Sequence, residues 1–526
     1  MEDFWNEQTI LETLVLMINE YAKNQEKWSI EELDAIFNLY MAQNQEYRRK
    51  NAEYLVKECL EVLQEGKLGE NYYFIMSFLL YATKNQTLYC LMIDYCIKDI
   101  KITKETKLFL YHQFVRFNFI NQEVVSDEVE DILDDLYSKV YQEYYIQVQA
   151  EYALIPKEER NSDFVLVLTS QILGMNHGPT KTLLDRCRIL DEVLKKNVYI
   201  INTAECMSRN GNVRFFGRGT ANYLTELCNE EWLEYKGRKY AFYQCPENMP
   251  SVPIIREILE VIKTEKPYFI LTIGGNSIVS DICSNVIPTI AISLAPSDKT
   301  MTRGQFQAIG RKISDKEQKW MHKHNYSKEH MIESLFTSAF KEQTHKYTRE
   351  ELGVPKEGFV AVIIGDRLDW DIDEGCLQML LKLMENGIYI AFVGLFTKYD
   401  KIANKNEIFK QYGVNLGHQE DVLAVNECLD LYINPKRMGG GTSVAEALYK
   451  GLPVVTMNYG DGAVGAGEDF LVKDYDEMYQ KVLRYVRDKA FYDLMSDKAK
   501  ERAARLMDSE AEFVKIVKKM EESQQF

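Results

Sequence analysis

Apolar residues recur at helical spacing through roughly the first 150 positions, then give way to short continuous runs. Glycine and proline are nearly absent from the first part. Ser29-Ile30-Glu31-Glu32 reads as a capping box, with Leu33, Ile36, Phe37 and Tyr40 following on one helix face. Tyr72, Ile75, Met76, Leu79 and Leu80 repeat that stripe. The pattern predicts an all-helical domain over residues 1–158, its many aromatic side chains packing between helices. No clean internal repeat is visible, so a tetratricopeptide array has no support.

A polar stretch at 155–162 ends this regime. Runs rich in Val, Ile and Leu follow at 164–169, 197–202, 268–273 and 289–293, with a helix expected at about 180–196. Buried-strand signals alternating with helices predict a parallel sheet covered on both faces. A second series has expected strands at 359–364, 388–393, 429–433 and 453–456. The charged segment 312–356 reads as helical, with an interdomain crossover near its end. The fold class expected is α/β: two Rossmann-like domains, 162–350 and 355–526, behind the all-α domain. Ligands of such sheets sit at the C-terminal ends of the strands.

Composition narrows the function. The chain has 526 residues and a formal net charge of −17. A nucleic-acid partner normally demands a basic face, so none is expected. An anionic ligand would need local donors, namely helix N-termini and a few cations. The ten cysteines show neither CxxC pairs nor metal spacing, as in a reducing compartment. Met1-Glu2-Asp3-Phe4-Trp5 lacks a signal-peptide pattern, and the longest apolar run, near 72–82, is too short to span a bilayer. A cytoplasmic location without a transmembrane segment is expected.

Residues 428–456 carry the strongest chemistry. They read as strand, glycine-rich loop, helix, tight turn and strand. Gly439, Gly440 and Gly441 let a ligand approach the backbone. Thr442 and Ser443 then open a helix, presenting hydroxyls and N–H groups at its positive end, a place suited to a diphosphate. Glu446 follows within the first turn, in reach of a ribose. The loop has neither the Gly-Lys-Ser/Thr of a Walker A motif nor a dinucleotide fingerprint, which leaves kinase and dehydrogenase readings weak. No GxSxG elbow anchors a serine hydrolase.

The segment 428–456 resembles the donor site of GT-B glycosyltransferases, above all the O-GlcNAc transferase group and its bacterial relatives, the adhesin N-glucosyltransferases among them. In that family a Thr-Thr pair opening the helix holds the pyrophosphate, and an acid three residues on binds the ribose. Thr442, Ser443 and Glu446 stand at those places, behind Gly440 and Gly441. Asn176-His177-Gly178-Pro179-Thr180 resembles the family's Asn-His-Pro-Thr loop with one glycine inserted. Residues 372–379 resemble the helix after the first donor-domain strand. The family has an essential lysine just before that helix, where this chain has Asp371. Phosphate neutralisation is therefore assigned to Arg367, in Gly365-Asp366-Arg367-Leu368-Asp369 directly after a strand. Similarity extends over about 164–507.

Many retaining GT-B enzymes carry two glutamates separated by seven residues around this loop. Glu446 fits the second, but Met438 occupies the place of the first, which favours an inverting enzyme with a base for the acceptor. His177 is the candidate base, or else a loop histidine bonded to backbone or phosphate. Lys181, one turn on, either assists the phosphate or faces solvent. His418, in the loop 417–421, is a candidate for the base of the nucleotide. The turn 274–277 with Asp281 either contacts a sugar or is structural. His322, His324 and His330 lack metal spacing and read as a solvated helix, so no metal is expected, nor a tightly bound cofactor.

The resemblance implies a glycosyltransferase that moves a sugar from a nucleotide donor, a UDP-sugar, to a protein side chain or to a glycan or lipid-linked acceptor. The N-terminal helices would hold a protein acceptor or dock a partner protein. A UDP-sugar epimerase of the same twin-domain fold and a non-catalytic, transferase-like subunit are open alternatives. The residues do not select the sugar, the nucleotide, the acceptor, the stereochemical outcome or the oligomeric state.

Overall fold

The fold comes from a computed structural model, which describes residues 6–65, 69–149, 153–175, 177–207, 215–217, 223–295, 301–335, 337 and 342–526. Asn176 of the histidine loop and the N-terminal residues 1–5 lie outside the described residues. The chain divides into two compact units. One comprises Met1–Tyr152, Asn202–Asn229 and Gln244–Val261, and the other Ala153–Ile201, Glu230–Tyr243 and Ile262–Phe526.

The first unit is helical over its N-terminal stretch, as the periodicity predicts. Its helices there are α1 (Glu7–Lys23), α2 (Ile30–Met41), α3 (Gln45–Glu65), α4 (Asn71–Thr83), α5 (Gln86–Lys98), α6 (Lys104–Ile120) and α7 (Asp127–Val148). Ser29 caps α2 as the sequence implies: its hydroxyl accepts from Glu32 N at 3.1 Å, and its own N–H donates to Glu32 Oε2 at 2.7 Å. In α4 every residue from Tyr72 to Leu80 is buried, so this helix is apolar all round instead of carrying a single stripe. Aromatic packing ties the helices together. The Phe37 and Phe78 rings stack at 3.8 Å, and Phe216 meets Phe78 edge-on at 5.3 Å.

Beyond α7 the chain builds a first sheet from β1 (Phe164–Thr169), α8 (Gly178–Glu192), β2 (Asn197–Asn202), β3 (Trp232–Tyr235), β4 (Arg238–Gln244), α9 (Val252–Glu265), β5 (Ile270–Ile273), α10 (Ile278–Cys283), β6 (Thr289–Ile292), β7 (Phe306–Ile309), α11 (Asp315–Lys323) and β8 (Met331–Glu333). The strand order is β3-β4-β2-β1-β5-β6-β7-β8. Strands β1, β5, β6, β7 and β8 run parallel, and β3 and β4 form an antiparallel hairpin. Among its described residues, the segment expected to be helical over 312–356 is helical only in α11. Met331 and Ile332 are buried and pair with Gln307 and Ala308, which makes β8 an edge strand of this sheet. Residues 342–356 contain turns and no helix.

The second sheet follows from β9 (Val360–Ile364), α12 (Leu368–Asp371), α13 (Glu374–Glu385), β10 (Tyr389–Val393), α14 (Tyr399–Ala403), α15 (Glu407–Tyr412), β11 (Gly413–Gly417), α16 (Val422–Asn426), β12 (Leu431–Asn434), α17 (Gly441–Tyr449), β13 (Val454–Met457), α18 (Gly460–Ala466), β14 (Leu471–Val472), α19 (Tyr475–Arg487), α20 (Lys489–Met507) and α21 (Ser509–Glu521). Its order is β11-β10-β9-β12-β13-β14, parallel throughout. β9, β12 and β13 are fully buried, as their unbroken apolar runs require. The order reverses between β9 and β12, so the loops after these two strands flank a crevice. The chain's last helix, α21, packs back on α8 and β8 of the first sheet, where Leu335 N donates to Glu512 Oε2 at 3.0 Å. Among the described residues no helix is long and apolar enough to cross a membrane.

Candidate functional site

The glycine loop lies between β12 and α17, at the crevice. Gly440 is the N-cap of α17 with φ +94°, a left-handed conformation that favours glycine, and no side chain caps the helix. Arg437 lies buried beneath the loop. Its Nε donates to Asn434 Oδ1 at 2.8 Å and its Nη1 to Asp371 Oδ2 at 2.9 Å. Its Nη2 donates to Ile364 O at 2.8 Å and to the Tyr432 hydroxyl at 3.0 Å. A Cβ on Gly440 would lie 2.7 Å from Asn434 Oδ1 and 2.8 Å from Arg437 Nε. The glycine thus serves close packing on Arg437 as well as backbone geometry. Asp371 is occupied with Arg437 and is itself buried.

The first turn of α17 faces the first turn of α8. A Cβ on Gly178 would come within 4.0 Å of Thr442 Oγ1. Two helix N-termini, each with a partial positive charge, therefore meet at Thr442. Ser443 sits beside the hydroxyl of buried Tyr432, which leaves Thr442 as the hydroxyl directed toward α8. Glu446 is one turn further along α17 and partly buried. Burial pushes its carboxyl up to about 7, the charge of Lys181 draws it down, and that of Asp421 pushes it further up. Lys181 on α8 and Asp421 at the start of α16 are thus the charged groups that act on Glu446.

His177 is the N-cap residue of α8, with no side-chain cap bond. Its Nδ1 is buried and has no hydrogen-bond partner. Burial, and then the charge of Lys181, hold the imidazole below its ordinary value. At neutral pH the ring is the neutral form that a base requires.

The remaining expected residues lie on neighbouring loops. Arg367 ends the β9 loop as the N-cap of α12 and is partly buried, its carbonyl accepting from Trp370 N and Asp371 N, each at 2.9 Å. Asp369 is tied to the next loop, accepting from Lys398 N at 2.8 Å and from the Thr397 hydroxyl. His418 is exposed immediately after β11. Asp421 caps α16 and fastens the segment at Thr344 and His345 by their backbone N–H groups, at 2.6 and 2.9 Å. Gly440, Gly441, Thr442, Ser443 and Glu446 are thus brought together with His177, whereas Arg367 and His418 occupy adjacent loop ends.

The turn after β5 is built for structure. Ser277 caps α10, and Asp281 accepts from Thr302 Oγ1 at 2.8 Å and Arg303 N at 2.7 Å. His330 departs from the expected solvated helix. It is 1% exposed, its Nδ1 lies 3.1 Å from Gln305 O, and its ring stacks on Tyr326 at 3.8 Å. The flanking lysines concealed a core position. Among the described residues no group of three or more His, Cys, Asp or Glu side chains is placed to hold a metal. Arg437 escaped the sequence reading because Lys436-Arg437 looks like an exposed basic pair. Its four acceptors lie on β9, α12 and β12, and nothing local to residue 437 signals most of them.

No protein-family model and no curated protein matches the chain. Solved structures do. An O-GlcNAc transferase from Thermobaculum terrenum superposes with a TM-score of 0.55 at 11% identity, covering 98% of this chain and 97% of that one. A glycosyltransferase from Rickettsia africae gives a TM-score of 0.49 at 13% identity, over 69% of this chain and 100% of that one. The pneumococcal O-GlcNAc transferase GtfA, in complex with UDP and GlcNAc, gives 0.42 at 8% identity, over 69% and 100%. The first likeness runs nearly end to end, and with the two largely parallel sheets it shows that the chain has the GT-B fold with a helical N-terminal region.

Proposed function

We propose that this chain is a glycosyltransferase that takes a sugar from a nucleotide donor, a UDP-sugar, and transfers it to a protein side chain with inversion. The observation that carries this reading is the meeting of two helix N-termini, α8 and α17, at Thr442. A diphosphate seated there would accept hydrogen bonds from both helix ends. Glu446, on the same face of α17 as Thr442 and Ser443, would accept from the ribose hydroxyls, and His418 would approach the base of the nucleotide.

In the reaction His177 takes the proton of the acceptor nucleophile, the new bond forms at the anomeric carbon, and the bond from that carbon to the diphosphate oxygen breaks. The departing charge is met by the two helix ends and by Arg367, so this mechanism calls on no metal. The N-terminal helices supply a surface for the acceptor.

One observation favours a second reading. Asp371, at the place of the family's lysine, is committed to Arg437, which suits a transferase-like subunit that has given up catalysis. Calorimetric titration with a panel of nucleotide sugars separates the two. Saturable binding of one UDP-sugar, slow release of UDP, and loss of both in Glu446→Ala support the transferase. Binding of no donor, with co-purification of a second transferase, supports the subunit.

A further inference from the structure

We propose that Lys181 is a second cation, besides Arg367, that meets the donor diphosphate, reaching it from the first sheet's helix α8 across the crevice. The inference rests on the nucleotide-sugar reading above.

Lys181 lies three residues after Gly178, on the same side of α8, and Gly178 is where α8 approaches Thr442. The side chain is partly buried, yet it makes no hydrogen bond or ion pair with any described residue. Its positive charge is felt by His177 on its own helix and by Glu446 on α17. Lys181 is therefore near enough for its charge to act on both helices.

Its neighbours point the same way. In the first turn of α8, Nδ1 of His177 and Oγ1 of Thr180 are buried without a hydrogen-bond partner, and Thr180 is only 1% exposed. Buried polar atoms of this kind normally have partners. A phosphate between α8 and α17 would accept from the Thr180 hydroxyl.

Another cation, Arg437, lies directly under the glycine loop. Its guanidinium already donates to Asn434, Asp371, Ile364 and Tyr432, and turning it toward a ligand would leave Asp371 buried without a counter-charge. Lys181 has no such commitment. A lysine also acts on phosphate as a mobile point charge and needs no fixed fork geometry.

The test is titration of the full-length chain with UDP and with uridine at pH 8.5, where Glu446 is ionised. Wild type should bind UDP more tightly than uridine. Lys181→Gln should weaken UDP by about 10- to 100-fold, the range for a lost charge-assisted hydrogen bond, and leave uridine within about twofold. Lys181→Arg should recover most of the loss, and the salt dependence of UDP binding should flatten in Lys181→Gln only. The melting temperature should fall only slightly, because the Lys181 side chain makes no hydrogen bond or ion pair with a described residue and only its attraction to ionised Glu446 is lost. UDP affinity unchanged in Lys181→Gln overturns the proposal while leaving the nucleotide-sugar reading intact. Failure of wild type to bind either ligand overturns that reading, and this proposal with it.

Discussion

Arg437, in the loop after β12, and Asp371, at the end of α12, form a buried ion pair at 2.9 Å directly beneath the glycine loop. The pair holds the loop after β9 against the loop after β12, the two loops that flank the crevice. Breaking such a pair from one side strands a buried charge, whereas replacing both partners with apolar groups does not. Asp371→Asn should therefore lower unfolding free energy by about 3–5 kcal/mol. The double variant Asp371→Leu with Arg437→Met should recover most of it. Calorimetric melting of the three proteins checks this. Equal losses in the single and double variants would show that the pair is not the stabilising unit.

Gly440 should not tolerate a side chain. Its φ of +94° and the 2.7 Å approach of Asn434 Oδ1 to any Cβ both oppose alanine. Gly440→Ala should displace Arg437 or the start of α17, and cost nucleotide affinity by about tenfold or more as the first-turn N–H groups move. Titration with UDP measures the loss. Retained affinity would place the diphosphate away from α17.

Glu446 links pH to stability and to ligand binding with opposite signs. Burial raises its carboxyl to about 7, above the ordinary 4.5. Between those values the folded state binds more protons than the unfolded one, so stability falls as pH rises from about 4.5 to 7, by at most about 3 kcal/mol. Ribose hydroxyls need the ionised carboxylate as acceptor, so donor affinity should rise over the upper part of the same window, up to about tenfold per pH unit below 7. Glu446→Gln should flatten the stability profile and leave only the nucleotide's own titration in binding. Parallel denaturation and titration series between pH 5 and 8 measure both slopes.

How much of this was legible before folding depended on range. Apolar runs such as 360–364 and 454–457 announce buried parallel strands because a fully covered strand has no polar face. The order Gly-Gly-Gly-Thr-Ser followed by Glu446 suggests a ligand loop because glycine, hydroxyl and acid follow one another within eight residues. The hairpin β3–β4 was silent, since its exposed face carries Trp232, Glu234 and Lys239 and breaks the expected apolar run. β8 was silent because three residues are too few for a period to show among lysines and histidines. The Arg437–Asp371 pair and the approach of Gly178 to Thr442 join residues brought together only by the finished sheets.

His177 carries the sharpest prediction about mechanism. Its imidazole is held below the ordinary value by burial and by Lys181, so it remains neutral through the physiological range. As a base it loses activity only when protonated. With saturating donor, turnover should therefore stay flat at neutral pH and fall on an acidic limb below the ordinary imidazole value of about 6.5. His177→Ala should lower kcat by about 10²–10⁴-fold and leave the donor Kd within about twofold. Added imidazole should restore part of the loss, because the ring occupies a partly buried position that a small base can refill. If His177 instead holds the phosphate, the same substitution should raise the donor Kd and change kcat little at saturation. The acidic limb would then survive the substitution, and the base would have to be sought elsewhere in the crevice.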